Sequence, residues 1–250
     1  MTRETLVLVG RESVSGVARR HADALRDRDI VDRVRVATYG AEPALDLRAQ
    51  LADTDADRLY AVPMRFAHAH ETLKDVPRAL GQLDCAVRYC DPLGESPATT
   101  EAIRARVDDD ANAVLLVALG NSRDDHSRDA VAFHADRLRE EVDEVRTAFL
   151  LQSPAVECAR YTLDNDHAVA VPLFLSDCEA TTTEIPTKLE LERGGFTYAD
   201  PLGDADAITD AIAAEVERER VLADSNTATP GTDLVTNARA VATDGRGNPE

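Results

Sequence analysis

The chain has 250 residues, 44% of them hydrophobic and 30% charged, which suffices for a core of ordinary globular size and excludes wholesale disorder. Its 47 acidic residues against 28 basic ones give a net charge of −19, which argues against nucleic acid, whose phosphates need a basic footprint. No run of about 18 apolar residues occurs, and Met1 to Glu4 lead into a strand-like stretch without a secretory pattern, so a cytoplasmic protein that engages no membrane is expected.

In chain order, Leu6 to Val9 reads as a short strand ending at Gly10, followed by a helix to Asp27 with Val17, His21, Ala24 and Leu25 on one stripe. Val34 to Tyr39 is a second strand, and a helix opens near Glu42 and Pro43, where proline is tolerated in the first turn. Leu59 to Pro63 forms the third strand, Leu73 to Leu83 a helix, Ala86 to Tyr89 a fourth strand and Pro97 to Val107 a closing helix. The pattern then returns with Val114 to Ala118, Val145 to Leu151, Ala168 to Leu175 and Phe196 to Tyr198. Strands alternating with helices imply α/β architecture, parallel sheets covered on both faces.

The return is a true repeat. AVPMRFAHAHETLKDVPRAL (Ala61 to Leu80) aligns without a gap on AVPLFLSDCEATTTEIPTKL (Ala170 to Leu189), and YCDPLG (Tyr89 to Gly94) on YADPLG (Tyr198 to Gly203). Copies of this size are two small domains rather than solenoid units, and the expected lobes are residues 1–110 and 111–222. Residues 223–250, rich in Thr, Asp, Asn, Gly and Pro, are expected to form a disordered acidic tail. Ligands of parallel sheets bind beyond the C-terminal strand ends, so the two copies are expected to face one cleft.

Functional weight falls on the loops after the third strand of each copy. His68 and His70, spaced by two on extended backbone, project to one side, with Glu71 and Asp75 following. The repeat maps His68 onto Asp177 and His70 onto Glu179, with Cys178 between them. If the copies face each other, His68, His70, Asp177 and Glu179 converge on a set suited to a divalent first-row metal or to removing a proton from a bound substrate. His21 and His134 occupy equivalent positions on apolar helix faces and read as structural. His126 follows the loop after Gly120, within possible reach of the cleft, but reads rather as the start of a helix, while His167 precedes a strand and reads as solvated. Cys85, Cys90, Cys158 and Cys178 show no metal spacing and read as free thiols. The absence of GxxxxGK[ST] and of a complete GxGxxG leaves nucleotide chemistry without support.

Lys74 and Lys188 are the only lysines, and the acids are scattered rather than run together. A solvated halophilic surface, its self-repulsion screened by molar salt, accounts for this better than an acidic patch for a cationic partner.

The phrases VPMRFAHAHETLKDVP and VPLFLSDCEATTTEIP resemble the third-strand signature of CbiX-type sirohydrochlorin chelatases, the class II tetrapyrrole chelatases, from Leu6 to about Glu215 in two tandem copies. The resemblance implies two flavodoxin-like lobes with a tetrapyrrole held between them, and ATP-independent insertion of Co²⁺, or of Fe²⁺ or Ni²⁺, on the route to cobalamin or sirohaem. It also leaves open a non-catalytic descendant that carries a tetrapyrrole or metal ion, as monomer or homodimer. The family's first strand ends in a Gly-His-Gly-Ser loop with a catalytic histidine; here the loops read Gly10-Arg11-Glu12-Ser13 and Gly120-Asn121-Ser122-Arg123. On this resemblance His68, His70 and Glu71 are the expected catalytic groups. His68, His70, Asp177 and Glu179 are the expected metal ligands, and Arg11, Arg65, Arg78 and Arg123 the expected contacts to substrate carboxylates.

Overall fold

The structure is a computed structural model that describes residues 2–122 and 125–225. The first lobe runs β1 (Glu4–Arg11), α1 (Ser15–Asp27), β2 (Arg33–Tyr39), α2 (Pro43–Leu51), β3 (Arg58–Pro63), α3 (Val76–Leu80), β4 (Ala86–Tyr89) and α4 (Pro97–Arg104). The second runs β5 (Ala113–Ala118), α5 (His126–Leu138), β6 (Glu144–Phe149), β7 (Ala168–Pro172), α6 (Ile185–Lys188), β8 (Phe196–Tyr198) and α7 (Asp206–Ser225). Among the described residues the strands form two parallel four-stranded sheets, ordered β2-β1-β3-β4 and β6-β5-β7-β8. This is the expected two-lobed α/β architecture. A turn of 3₁₀ helix, Val156–Tyr161, stands in the second lobe where α2 stands in the first.

Alternation along the strands decides the layering. Leu6 and Leu8 on β1 join Val114 and Leu116 of the other sheet's central strand β5 in one core shared by the two lobes. Their neighbours Val7 and Val9 turn outward onto α2 and α3, and Leu115 and Val117 do the same in the second lobe. All six residues of β5 are buried, as expected of a central parallel strand covered on both faces. No helix among the described residues is long and apolar enough to cross a membrane.

The closing helices are exchanged between the lobes. α4, which ends the first copy, packs on α5 of the second, and α7, which ends the second copy, packs on α1 and β3 of the first. Ion pairs follow the exchange: Arg220 of α7 reaches Glu4 at 2.8 Å, Arg28 reaches Asp210 of α7 at 2.6 Å, and Arg104 of α4 pairs with Glu141. α7 also continues to Ser225, three residues into the segment expected as tail, and Asp224 there pairs with Arg58 at 3.2 Å. The remainder of that segment, 226–250, lies outside the described residues.

Candidate functional site

Pro63 and Pro172 close β3 and β7, and each chain then turns away across the C-terminal edge of its sheet. Met64 and Leu173 still donate to Val9 and Val117, at 2.7 Å in both lobes, so the loops leave from a fixed platform. Each loop then enters a single π-helical turn, Glu71–Asp75 or Ala180–Glu184. Such turns recur at functional sites because the wide turn re-aims side chains.

A buried threonine sets each loop. Thr72 accepts the Ala69 amide at 2.8 Å and donates to the Ala69 carbonyl at 2.9 Å; Thr181 does the same with Cys178 at 3.0 and 3.1 Å. From β4 and β8, the hydroxyls of Tyr89 and Tyr198 donate to the Thr72 and Thr181 carbonyls at 2.8 and 2.9 Å. The pairs Thr72/Thr181 and Tyr89/Tyr198 are thus identical in both copies for structural reasons.

Between the loops lies a cavity of about 550 Å³. Residues following β1, β3, β5, β6 and β7 line it, all at C-terminal strand ends, as expected for parallel sheets. Its two walls differ. The first-lobe wall carries Arg11, Arg65, His68, His70 and Glu71 among apolar residues such as Met64 and Phe66; the second presents Leu119, Leu151, Leu173, Phe174 and Leu175, with Asn121, Ser127, Ser176 and Cys178 as its uncharged polar members. The repeat makes the contrast explicit, since Arg65 corresponds to Phe174 and Glu71 to Ala180.

One oxygen of Glu71 organises the charged wall. Oε1 accepts Nε and Nη2 of Arg11 at 3.1 and 2.9 Å and Nη1 of Arg65 at 2.9 Å. Burial pushes the Glu71 carboxyl up, but a backbone amide and the two guanidiniums outweigh it and hold the group below its ordinary value. Glu71 therefore sits as an arginine anchor rather than as the proton acceptor expected from sequence. The cluster of two guanidiniums and one carboxylate keeps a net positive charge on the cavity lining.

His68 is half-buried, with Nδ1 at 3.3 Å from the Thr72 hydroxyl and its ring 6.4 Å from that of Tyr89, centroid to centroid. The Thr72 proton is already committed to the Ala69 carbonyl, so the hydroxyl can only accept from the imidazole. A neutral ring bonded to this hydroxyl therefore carries its proton on Nδ1, which makes Nε2 its acceptor nitrogen, the tautomer that a base or metal ligand needs. His70 lines the same wall and is exposed.

The other expected site residues fall elsewhere. Asp177 and Glu179 are exposed and do not line the cavity; Cys178 and Ala180 take the places toward it. Among the described residues no three His, Cys, Asp or Glu side chains stand close enough to hold one ion, so the expected set of His68, His70, Asp177 and Glu179 does not assemble. The reason is geometric: most equivalent positions of the two loops line the cavity in both copies, but His68 and His70 do so while their equivalents Asp177 and Glu179 do not. Arg78 is exposed on α3, outside the cavity lining, and Arg123 lies outside the described residues. Sequence reasoning missed the apolar second wall, whose signal was the PLFL phrase itself. His126, read as a helix start within possible reach of the cleft, is the first residue of α5 and does approach His68: the ring centroids are 6.3 Å apart and the planes inclined at 72°. His21 and His134 are buried in contacts between the lobes, as expected for structural histidines, and the four cysteines are unpaired.

Comparison with known proteins now bears on this arrangement. A family model described as CbiX matches residues 6–110 and again residues 113–219. A probable sirohydrochlorin cobaltochelatase of Halobacterium salinarum is 28% identical over 222 residues, covering 73% of this chain and 75% of that one. Among solved structures, SirB from Bacillus subtilis with Fe³⁺ is similar with a TM-score of 0.71 at 17% identity, over 90% of this chain and 98% of that chain. A multi-domain protein of Deinococcus radiodurans with structural similarity to chelatases gives a TM-score of 0.68 at 23% identity over 86% of this chain, which spans 54% of that protein's length. At these identities the structures speak to the two-lobed α/β fold alone, whereas the family match runs through both copies. The chain belongs to the CbiX family.

Proposed function

We propose that the protein inserts a divalent metal ion into a sirohydrochlorin-type tetrapyrrole without a nucleotide. The observation that carries this reading is His68, held by Thr72 in the tautomer that offers Nε2, on the wall of a cleft with guanidiniums on one side and apolar residues on the other. Insertion exchanges two pyrrole N–H protons for one divalent ion, so charge balances at the macrocycle. The reaction needs a base in a site that holds the ion weakly enough to release it. The Nε2 of His68 accepts the two pyrrole protons in turn, passing each to solvent water, and Arg11 and Arg65, anchored on Glu71, receive the carboxylates of the macrocycle. Leu119, Leu151 and Leu173 to Leu175 cover its apolar face. Co²⁺ is the ion we favour, following the name of the Halobacterium relative, with Fe²⁺ and Ni²⁺ served by the same nitrogen ligands. Both the cobalamin and the sirohaem route are open to this reaction.

The test is an anaerobic assay in molar KCl with sirohydrochlorin and Co²⁺, following the macrocycle's absorbance. We expect insertion well above the uncatalysed rate, lowered on the order of 100-fold in His68→Ala, the scale of a lost general base. A wild-type protein that binds the tetrapyrrole but does not accelerate insertion would overturn the reading in favour of a carrier.

A further inference from the structure

Tyr39 closes β2 with a buried hydroxyl that has no hydrogen-bond partner, the only hydroxyl so placed among the described residues. The residue is 1% exposed and packs in the outer layer with Val7, Val9 and Leu47. Buried polar groups are nearly always paired, so a lone one calls for a reason. Burial pushes the phenol above its ordinary pKa, which keeps the proton in place and makes the group a donor. The charges that act on it are, in order of strength, Arg65, Glu71 and Arg11, and Arg65 comes within reach without bonding geometry. Arg11 is its register partner on β1.

We propose that Tyr39 is a positioning residue of the charged wall: when a ligand carboxylate draws Arg65 from Glu71, the Tyr39 hydroxyl donates to Glu71 in its place. The proposal rests on the reading of Arg11 and Arg65 as receivers of tetrapyrrole carboxylates, and adds how the wall opens to them.

The need for a second donor follows from burial. The Glu71 side chain is 15% exposed, and its Oε1 already accepts three guanidinium N–H groups. A carboxylate so enclosed is destabilised when a partner leaves, and it would repel the carboxylate that arrives. A neutral O–H compensates it at no cost in net charge, through a charge-assisted bond. Before the ligand comes, that oxygen is occupied, which accounts for the idle hydroxyl. Tyr89, the other phenol near Arg65, is already committed, donating to the Thr72 carbonyl at 2.8 Å.

The second copy supports the assignment. Register pairs Leu8 with Val36 and Arg11 with Tyr39; Ala118, the equivalent of Leu8, pairs with Phe149, so Tyr39 corresponds to Gln152. Arg11, Arg65 and Glu71 correspond to Asn121, Phe174 and Ala180. The hydroxyl thus occurs in the lobe that has the charges. Where they are missing, an amide stands instead, its Oε1 accepting the Asn121 backbone N–H at 2.8 Å.

The experiment is a titration of the full chain with metal-free sirohydrochlorin in molar KCl, read by the macrocycle's absorbance, beside a thermal melt. Tyr39→Phe removes the oxygen alone. It should weaken binding by about tenfold or more, the scale of one hydrogen bond to a charged group. Its melting temperature should equal or exceed that of wild type, because the free protein loses no bond. In an Arg65→Ala background no guanidinium is drawn from that side of Glu71, and Tyr39→Phe should change the dissociation constant by less than about twofold. Equal binding by Tyr39→Phe and wild type would overturn the exchange. So would a lowered melting temperature with a binding loss that persists in the Arg65→Ala background, which would make the hydroxyl a support of the fold. A wild type that binds the macrocycle without inserting metal would end the chelatase reading and leave the exchange standing; one that binds no macrocycle would overturn both.

Discussion

His134 donates its Nε2 proton to the carbonyl of Gly94 at 2.7 Å, joining α5 of the second lobe to the loop that leaves β4 of the first. Thr100 of α4 donates to the other ring nitrogen at 2.8 Å. The repeat builds the reciprocal joint: His21 bonds the Gly203 carbonyl at 2.8 Å and the Thr209 hydroxyl at 2.7 Å. Both rings are almost wholly buried, and each fixes the helix that its own lobe receives from the other. The same glycines also lie against the cavity loops, since Gly94 donates to the Phe66 carbonyl at 2.8 Å. The exchange of helices and the shape of the cleft are therefore held by one set of atoms.

These histidines predict an acid limit on stability. Burial pushes His134 down to about 4 from its ordinary 6.5 and lowers His21 in the same direction. The unfolded chain then takes up protons first as pH falls, so the contribution is complete above pH 6.5 and is lost between 6.5 and about 4. For His134 the loss is on the order of 3 kcal/mol. Urea denaturation at fixed KCl should show stability declining through this window, with a shallower decline in His134→Gln, whose amide keeps a donor for Gly94 but does not titrate. Equal slopes for the two proteins would remove His134 as the cause.

Glycine at 94 and 203 is required by close approach. A Cβ on Gly94 would stand 2.1 Å from the Phe66 carbonyl oxygen, and one on Gly203 would stand 1.7 Å from that of Leu175. Backbone cannot yield as a side-chain tip can, so Gly94→Ala and Gly203→Ala should each cost about 3 kcal/mol or more. Gly16, in α1, has open space at its Cβ position, and Gly16→Ala should stabilise by up to about 1 kcal/mol. Thermal melts that rank the three substitutions otherwise would contradict the packing described for the loops.

Much of this was legible in the sequence, because a gapless repeat carries register as well as similarity. The strands, their parallel sense and the cavity-lining loops after β3 and β7 follow from it. What repetition cannot convey is which surfaces meet. α4 reads as the end of the first copy, yet its buried face is completed by α7 and α5 of the second, contacts between elements with no local signature. Repetition likewise pairs His68 with Asp177, which are equivalent but not adjacent, whereas His126 meets His68 without being its equivalent. Glu71 reads as an available carboxylate until Arg11, sixty residues earlier in the chain, is seen to occupy it.

The arginine cluster should divide binding from turnover. Arg65 is 22% exposed and Arg11 58%, both on the same Glu71 oxygen. If they hold substrate carboxylates equally in ground and transition states, Arg65→Ala should raise KM on the order of tenfold with kcat little changed. Arg11→Ala, the more solvated of the two, should do so less. A fall in kcat at constant KM would instead place Arg65 against the reacting nitrogens.

Thr72 and Thr181 offer a comparison internal to the molecule. Each bridges the amide and carbonyl of the residue three before it, each is 1% exposed, and each is capped by a tyrosine hydroxyl on its own carbonyl. Valine at either position removes the same loop bonds, so the two variants should lose similar stability, about 1 to 3 kcal/mol for buried partners left unpaired. Only Thr72 also faces an imidazole, His68, and fixes which nitrogen carries the proton. Thr72→Val should therefore lower kcat by about 10- to 100-fold, the range found when an orienting partner is removed from a functional histidine. It should also displace the acid limb of the pH–rate profile, which Thr181→Val should leave in place. Thr72→Ser, which keeps the hydroxyl, should recover most of the rate. Equal profiles for Thr72→Val and Thr181→Val would mean that His68 owes nothing to its threonine, and the base would have to be sought at another ring.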